Sequence, residues 1–233
     1  MKRSWKELLL RIVILLFGLT IAHLGVSLFL LTDMGSDPFN VLIQGLFRTS
    51  ERLIQSPLIT HGRVHIVINF LIIVVLLFVD KSYIKIGTLL CMICGGPIID
   101  VFNSIFTPLF DPRPSLPISI LILCAACVIL AFGMTLVIQS DAGTGPNDLV
   151  ALVTSQKLGK KFSIVRIIVD FSFVLAGFLL GGSFGAGTIV CAVLVGPVAG
   201  FFLPYSEKIV KKVLIVSGGI SYGDNNHTEA DDR

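Results

Sequence analysis

The strongest chemical signal in the sequence is a pair of opposite charges inside a long apolar stretch. Arg166 and Asp170 lie four residues apart in the apolar segment 162–180. On a helix, this spacing places both side chains on one face, where they can pair. Charges in such a segment are costly and face a protein interior or a water-filled cavity. The pair therefore marks a candidate binding site, although Arg166 could instead extend to the membrane edge.

A second polar pair lies in an earlier apolar segment, 62–79, again with a spacing of four residues. An offset of 101 residues relates His65 to Arg166 and Asn69 to Asp170. These side chains are also candidate ligands for a polar solute, although Asn69 could serve only to hydrogen-bond two helices together. Asp100, in the segment 86–106, is a third candidate, and its alternative position is near the outer end of its helix.

A short element that contains Asp, Gly and Pro occurs twice in the sequence. Its members, all candidate site residues, are Asp33, Gly35, Pro38 and Asn40, which recur 108 residues later as Asp141, Gly143, Pro146 and Asp148. The glycines permit unusual backbone angles, and the prolines suit the first turn of a helix. Residues 38–47 and 146–155 are therefore predicted to form short helices of roughly 15 Å.

Two arrangements of these short helices remain open. Each could be a re-entrant half-helix, buried in protein or lining a cavity, whose N-terminus offers free N–H groups and a positive dipole. Each could instead lie flat at the membrane interface. In the second case Asp33 and Asp141 would act only as caps at that interface.

Catalytic and metal-binding chemistry have little support in the sequence. Two CxxC patterns, Cys91–Cys94 and Cys124–Cys127, fall inside apolar stretches, where cysteine behaves as a small apolar residue. The four histidines form no zinc-binding motif, and neither a phosphate-binding glycine loop nor a nucleophile elbow occurs. We therefore expect no enzyme activity, no catalytic residues, no cofactor and no metal.

The composition indicates which kind of fold must hold these residues. Of the 233 residues, 54% are hydrophobic and 14% are charged, against about 25% charged in an ordinary soluble protein. The mean hydropathy is +0.91. These values exclude a soluble enzyme and a disordered chain, and the net charge of +3 is too small to indicate nucleic-acid binding. The sequence therefore predicts an all-α, polytopic membrane helix bundle.

Six apolar stretches are long enough, or nearly long enough, to span a bilayer. They are residues 12–31, 62–79, 86–106, 117–138, 162–180 and 185–203. The first stretch is longer than the apolar part of a signal peptide and shows no clear cleavage site, so we interpret it as a retained helix. Residues 1–203 are predicted to form one transmembrane domain.

The distribution of lysine and arginine predicts the orientation. With the N-terminus inside, 14 of the 18 basic residues lie on the cytoplasmic side and 4 on the outer side. The excess on one side predicts a bacterial cytoplasmic (inner) membrane protein with both termini in the cytoplasm. Residues 204–233 would form a cytoplasmic tail that begins with a basic amphipathic stretch, 206–216, and ends in a disordered segment.

The two halves of the chain resemble one another. Residues 25–41 align with 133–149 at an offset of 108, and residues 87–97 align with 187–197 at an offset of 100. This indicates repeat 1 at about 12–110 and repeat 2 at about 117–203, with three spans each. An odd number of spans places the second copy in the opposite orientation. Such inverted repeats are typical of secondary transporters, although a duplication kept only for packing is the alternative.

These motifs also resemble a known family. The pattern Asp33-x-Gly35-x-x-Pro38-Phe39-Asn40-Val41, followed by Gly87-Thr88, Gly96-Pro97 and Asp100, resembles the YczE/YitT-like multi-pass membrane proteins of bacteria, and its YczE branch most closely. Phe39 and Asn40 stand where that family more commonly has Trp and Asp. The resemblance extends over about residues 12–203. It implies a class of membrane protein and almost no chemistry.

The sequence as a whole favours a transporter of a small polar solute, with its site at the repeat interface. The alternatives are a substrate-binding membrane subunit of a vitamin-type importer and a membrane scaffold that transports nothing. The expected partners are the lipid bilayer and a small solute of unknown identity. A homo-oligomer or a separate energising subunit is compatible with the sequence, and nucleic acid is not expected.

Overall fold

The computed structural model describes residues 4–32, 34–35, 37–55, 59, 61–110 and 115–217, so Asp33 lies outside the described residues. Its eight α-helices are α1 (Trp5–Leu31), α2 (Pro38–Ile54), α3 (His61–Asp80), α4 (Ile86–Leu109), α5 (Leu116–Ser140), α6 (Pro146–Leu158), α7 (Phe162–Leu179) and α8 (Ala186–Val216). A short 3₁₀ turn, Lys81–Tyr83, joins α3 to α4. This part of the chain contains no strand, which confirms the predicted all-α class.

Six of these helices are long and apolar enough to cross a membrane, as the sequence predicts. They are α1, α3, α4, α5, α7 and α8. The two remaining helices, α2 and α6, are the short elements that follow the repeated Gly and Pro residues. They start at Pro38 and Pro146, as predicted, but end later than predicted, at Ile54 and Leu158.

The centre of the bundle is the crossing of α1 with α5. The two helices run antiparallel, since Gly18 lies against Leu136 and Gly25 lies against Ala126 and Leu130. At Gly133 an added methyl group would collide with the backbone of Ala22. The helices therefore approach so closely that side chains larger than hydrogen cannot be accommodated at these positions.

Helix α8 extends beyond the end that the sequence analysis assigned to the last span. The prediction placed that end near residue 203, whereas the helix continues to Val216. Ser206, Val210 and Leu214 are buried, and Ser206 hydrogen-bonds to Thr135 of α5 over 2.7 Å. The basic amphipathic stretch therefore belongs to the bundle, because its apolar face packs against α5 and the start of α1.

Equivalent residues of the two halves make equivalent hydrogen bonds. The Gly87 N–H of α4 donates to the carbonyl oxygen of Ala142 over 2.9 Å. The Gly187 N–H of α8 donates to the carbonyl oxygen of Met34, also over 2.9 Å. Gly87 corresponds to Gly187, and Met34 corresponds to Ala142. Each half therefore donates the same bond to the other half.

The two halves differ in how their last two helices pack. In the second half α7 lies against α8, and a methyl group added at Gly196 would be 2.7 Å from the carbonyl oxygen of Ser163. In the first half α3 and α4 scarcely touch. A methyl group added at Gly96, which corresponds to Gly196, would meet no described atom within 4 Å. The first half is therefore open where the second half is closed.

Candidate functional site

Three charged side chains from α6 and α7 form a network, which we call the charge cluster: Asp170 and Arg166, which are buried, and Asp148, which is half-buried. Arg166 Nε donates to Asp170 Oδ2 over 2.8 Å, and Arg166 Nη1 donates to Asp148 Oδ1 over 2.5 Å. Asp170 is 1% exposed and Arg166 is 9% exposed. The guanidinium thus joins two carboxylates inside the bundle, and the cluster carries one net negative charge.

The local sequence explains how Asp148 reaches Arg166. Gly143 adopts a φ of 135°, which turns the chain out of α5, and Pro146 starts α6. Asp148 lies in the first turn of α6, where the positive end of the helix dipole stabilises a carboxylate. Leu149 and Val153 of α6 pack against Leu76 of α3. Helix α6 is therefore held between α3 and α7 with its acidic first turn facing Arg166.

The equivalent residues of the first half are His65, Asn69 and Asn40. Asn69, which is 3% exposed, contacts the His65 ring nitrogen Nδ1 over 3.1 Å. Asn40, the counterpart of Asp148, donates its side-chain N–H to Asp37 Oδ2 over 2.5 Å and its backbone N–H to Asp37 Oδ1. The ring of Phe39 stacks edge-on against His65 at 5.6 Å. In this half, a set with one carboxylate, Asp37, and no arginine thus stands in place of the charge cluster.

The N-terminal ends of α2 and α6 converge on the charge cluster. Asp37, the cap of α2, and Asp148, in the first turn of α6, both interact electrostatically with Asp170. Both also interact with His23 of α1. The two short helices therefore direct their positive ends toward one region near the middle of α7.

Two residues of this region, Asp37 and His23, were not predicted as site residues from the sequence. His23 lies in an uninterrupted apolar helix, its Nδ1 is 2.8 Å from the Leu19 carbonyl oxygen, and its ring fills the space beside Gly95. Nothing in its sequence context distinguishes it from a packing residue. Asp37 did carry a signal, because an Asp directly before a Pro is typical of a helix N-cap.

Two cavities lie at opposite ends of the bundle. The larger, of about 930 Å³, lies beside the N-terminus of α4 and the C-terminus of α5, and its lining includes Tyr83, Lys85, Gly143 and Leu152. The smaller, of about 510 Å³, lies beside the C-terminus of α1 and the N-terminus of α8, and its lining includes Gly35, Gln44, Ser183 and Gly185. The repeat offsets relate these two sets of residues, so the cavities occupy equivalent places in the two halves.

The remaining predicted site residues lie outside the charge cluster. Asp141 ends α5 in a left-handed conformation with a φ of 53°, lines the larger cavity and forms ion pairs with Lys85 and, at 3.8 Å, with Arg11. Asp100 is exposed on α4. The charge cluster itself lines neither of the two cavities. Within the described ranges, no group of His, Cys, Asp and Glu side chains could hold a metal ion.

Comparison with known proteins places the chain in a family. Residues 9–204 match DUF6198, a family of unknown function, and the matched range includes all three residues of the charge cluster. The chain belongs to the DUF6198 family. The resemblance to YczE-like proteins is also confirmed, since the chain is 30% identical over 206 residues to the "Uncharacterized membrane protein YczE" of Bacillus subtilis.

The similarity to these relatives extends over most of each chain. The alignment with the B. subtilis protein includes 88% of this chain and 91% of the relative. An "Uncharacterized protein" of Haemophilus influenzae is 33% identical over 201 residues, which include 85% of this chain and 86% of that protein. No solved structure matches the chain. Together with the six candidate spans, the comparisons identify a YczE-like membrane protein.

Proposed function

We propose that this DUF6198 protein transports a small polar solute across the bacterial cytoplasmic membrane. The observation that carries the proposal is the pair of cavities at equivalent places in the two halves. The charge cluster lies between them. Asp148 directly precedes Leu149, which lines the larger cavity. Asp37 lies two residues after Gly35, which lines the smaller cavity. Asp37 also interacts electrostatically with Asp170. A solute would pass from one cavity to the other beside Asp170.

The proposal includes an inverted relation between the two halves. Each half contributes three candidate spans, and the exchanged hydrogen bonds of Gly87 and Gly187 relate equivalent residues across the bundle. We infer a pseudo-twofold axis in the plane of the membrane, with both chain termini in the cytoplasm. In transporters of this design, the substrate site lies at the repeat interface, near broken helices whose N-termini face the substrate. The converging ends of α2 and α6 support this interpretation.

The difference between the two halves supports alternating access. Helices α7 and α8 pack at Gly196, whereas the matching surface at Gly96 is free. If the halves exchanged these arrangements, α3 would close onto α4 while α7 separated from α8. Access to the central region would then change from one end of the bundle to the other. Gly96 of α4 already provides the small residue that close packing of α3 against α4 would need.

Transport can be tested without knowing the solute. The purified full chain is reconstituted in proteoliposomes, which are incubated with a defined mixture of small polar metabolites under an imposed proton or sodium gradient. Mass spectrometry of the vesicle contents then identifies any solute that accumulates. We expect at least one metabolite to accumulate with the natural chain, and Asp170→Asn to abolish this accumulation. Glu51→Gln, at an exposed position on α2, is the matched control and should transport normally.

The other outcomes distinguish the rival functions. Accumulation that appears only when a copurified ATPase is added would indicate the substrate-binding subunit of an importer. A stable protein partner, together with no accumulation of any metabolite in the mixture, would indicate a scaffold. Either result would overturn autonomous transport. Equal accumulation by the natural chain and Asp170→Asn would retain transport but remove Asp170 from the path.

A further inference from the structure

The end of α8, residues 205–216, exposes an apolar surface that the described part of the bundle does not cover. The buried face of this segment consists of Ser206, Val210 and Leu214. Four large side chains of the same segment are exposed, and we call them the apolar stripe: Tyr205, Ile209, Val213 and Val216. With 3.6 residues per turn, these four lie within about 80° of one another, directly beside the buried face. A continuous exposed stripe of this kind marks a contact with another molecule or with a membrane.

The lysines of this segment lie along the other edge of the apolar stripe. Lys208 and Lys212 are one turn apart and exposed, and neither forms an ion pair with a described side chain. Lys211 lies further from the stripe and pairs with Glu207 over 2.7 Å. The circumference of the helix therefore carries, in order, a buried face, the apolar stripe and two positive charges that no described residue neutralises.

The contacts of the buried face place this segment at the level where the membrane meets water. Leu214 belongs to a cluster that includes Leu10 of α1. Arg11, the next residue of α1, donates to the carbonyl oxygen of Ser140, the last residue of α5, over 3.0 Å. Trp5 starts α1 and is 85% exposed, and tryptophan is enriched at membrane–water interfaces. The segment therefore lies beside the end of α5 and the start of α1, at the level of the lipid headgroups.

An anionic phospholipid matches the apolar stripe and the lysines together. An amphipathic helix with lysines on its polar face lies in the interface, with its apolar side against the acyl chains. The distribution of lysine and arginine predicts that this end of the bundle faces the cytoplasm. Anionic lipids of the cytoplasmic leaflet attract lysines at the membrane surface. A single lipid molecule thus supplies both an apolar part for the stripe and a negative charge for the lysines beside it.

We propose that residues 205–216 bind anionic phospholipids of the cytoplasmic leaflet in preference to neutral ones. The acyl chains cover the apolar stripe, and the headgroup phosphates pair with Lys208 and Lys212. Glu207, on the side of the helix away from the stripe, lines the larger cavity. The bound lipids therefore lie on the outer side of the same helix that borders this cavity. The inference concerns the surface of the protein and stands independently of the proposed transport function.

A single tryptophan on the apolar stripe can report which lipids contact it. Trp5 is the only tryptophan of the sequence, so the full chain with Trp5→Phe and Ile209→Trp carries one at the required place. This chain is reconstituted in mixtures of phosphatidylcholine and phosphatidylglycerol in which one of the two lipids is brominated. Bromine quenches tryptophan fluorescence at short range, so the quenching gives the relative affinity of the two lipids for this position. We expect both lipids to quench and phosphatidylglycerol to bind about fivefold more tightly or better, the effect of one lysine near an anionic surface.

Two pairs of lysine variants make the test specific. Lys208→Gln together with Lys212→Gln should remove most of the preference for phosphatidylglycerol and leave quenching by phosphatidylcholine unchanged, because the apolar stripe is intact. Lys160→Gln together with Lys161→Gln is the matched control, since it removes the same charge from two exposed lysines at the turn between α6 and α7. The control should retain the preference. High salt should weaken the preference of the natural lysines, because it screens exposed charges.

Three outcomes would overturn the inference. If neither brominated lipid quenched the tryptophan at position 209, the apolar stripe would lie outside the bilayer. Equal affinities for the two lipids, or a preference that survives the loss of Lys208 and Lys212, would reject the assignment to anionic lipids. A preference that appears only after removal of residues 218–233, four of which are acidic, would show that this tail occupies the lysines in the full chain.

Discussion

At the scale of single residues, the central feature is an arginine that joins two carboxylates. Arg166 pairs with Asp170 one turn away and with Asp148, eighteen residues earlier in the chain. The first pair was predictable, since a spacing of four residues on one helix fixes the contact. The second was not, because it depends on the fold of the turn between α6 and α7, where Gly159 adopts a φ of 59°. Both carboxylates were named as candidates, but their shared partner was not recognised.

This geometry predicts that the members of the charge cluster differ in their effect on stability. Asp170→Asn leaves Arg166 paired with Asp148, so the cluster becomes neutral and the fold should tolerate the change. Arg166→Gln leaves two carboxylates without a counter-charge, and breaking a buried pair in this way typically costs about 3–5 kcal/mol. Thermal unfolding of the purified variants should therefore rank Arg166→Gln well below Asp170→Asn.

The double variant and an exposed pair provide the controls. Adding Asp170→Asn to Arg166→Gln removes one of the two uncompensated charges and should recover part of the lost stability. Glu207 and Lys211 on α8 form an ion pair at the same spacing, 2.7 Å long but exposed. Breaking it should cost only about 0–1 kcal/mol. Equal losses for the buried and exposed pairs would contradict the role assigned to burial.

At the scale of elements, helix starts were more predictable than helix ends. Pro38 and Pro146 mark the starts of α2 and α6, because proline fits the first turn and the preceding residue is extended. The end of α8 at Val216 was not predicted from hydropathy, since residues 206–216 are basic and their composition alone places them outside the membrane. Their buried face is defined by α1 and α5, whose positions depend on the tertiary fold.

The pair Gly96 and Gly196 yields a matched prediction at this scale. Gly196→Ala places a methyl group 2.7 Å from the Ser163 carbonyl oxygen and 3.1 Å from Ile167 Cγ1, so α7 and α8 must separate and stability must fall. Gly96→Ala adds the same methyl group in free space and should leave stability unchanged or slightly higher, since alanine favours a helix. Thermal unfolding of the two variants checks the difference.

Gly96→Ala also tests whether the two halves exchange their packing arrangements during transport. If α3 closes onto α4 during transport, Gly96→Ala should slow solute accumulation in proteoliposomes while its stability stays normal. Gly95→Ala is not a suitable control, because a methyl group added there would be 2.8 Å from His23 Nε2. Normal transport by Gly96→Ala would show that α4 does not use this surface in a second state.

At the scale of the whole molecule, the sequence repeat pairs residues of the two halves but does not predict that the halves pack differently. The offset of 108 pairs Met34 with Ala142, and the offset of 100 pairs Gly87 with Gly187. The hydrogen bonds from Gly87 to Ala142 and from Gly187 to Met34 have the same length. The separation of α3 from α4 cannot be predicted from the residues of α4 and α8 at this contact, because Gly96-Pro97 and Gly196-Pro197 are identical. One sequence can support two arrangements of the same surfaces, so residue identity alone does not determine which half is open.

The proposed inversion predicts that the two cavities open to opposite sides of the membrane. With the N-terminus in the cytoplasm, as the excess of basic residues predicts, the larger cavity would face the cytoplasm. In a chain whose five native cysteines are replaced, Ser183→Cys, beside the smaller cavity, should react with a membrane-impermeant maleimide on intact cells. Gln156→Cys, beside the larger cavity, and Ser217→Cys, after α8, should react only after permeabilisation. Reaction of Ser183→Cys and Gln156→Cys from one side would place both cavities on the same face and rule out the inverted arrangement.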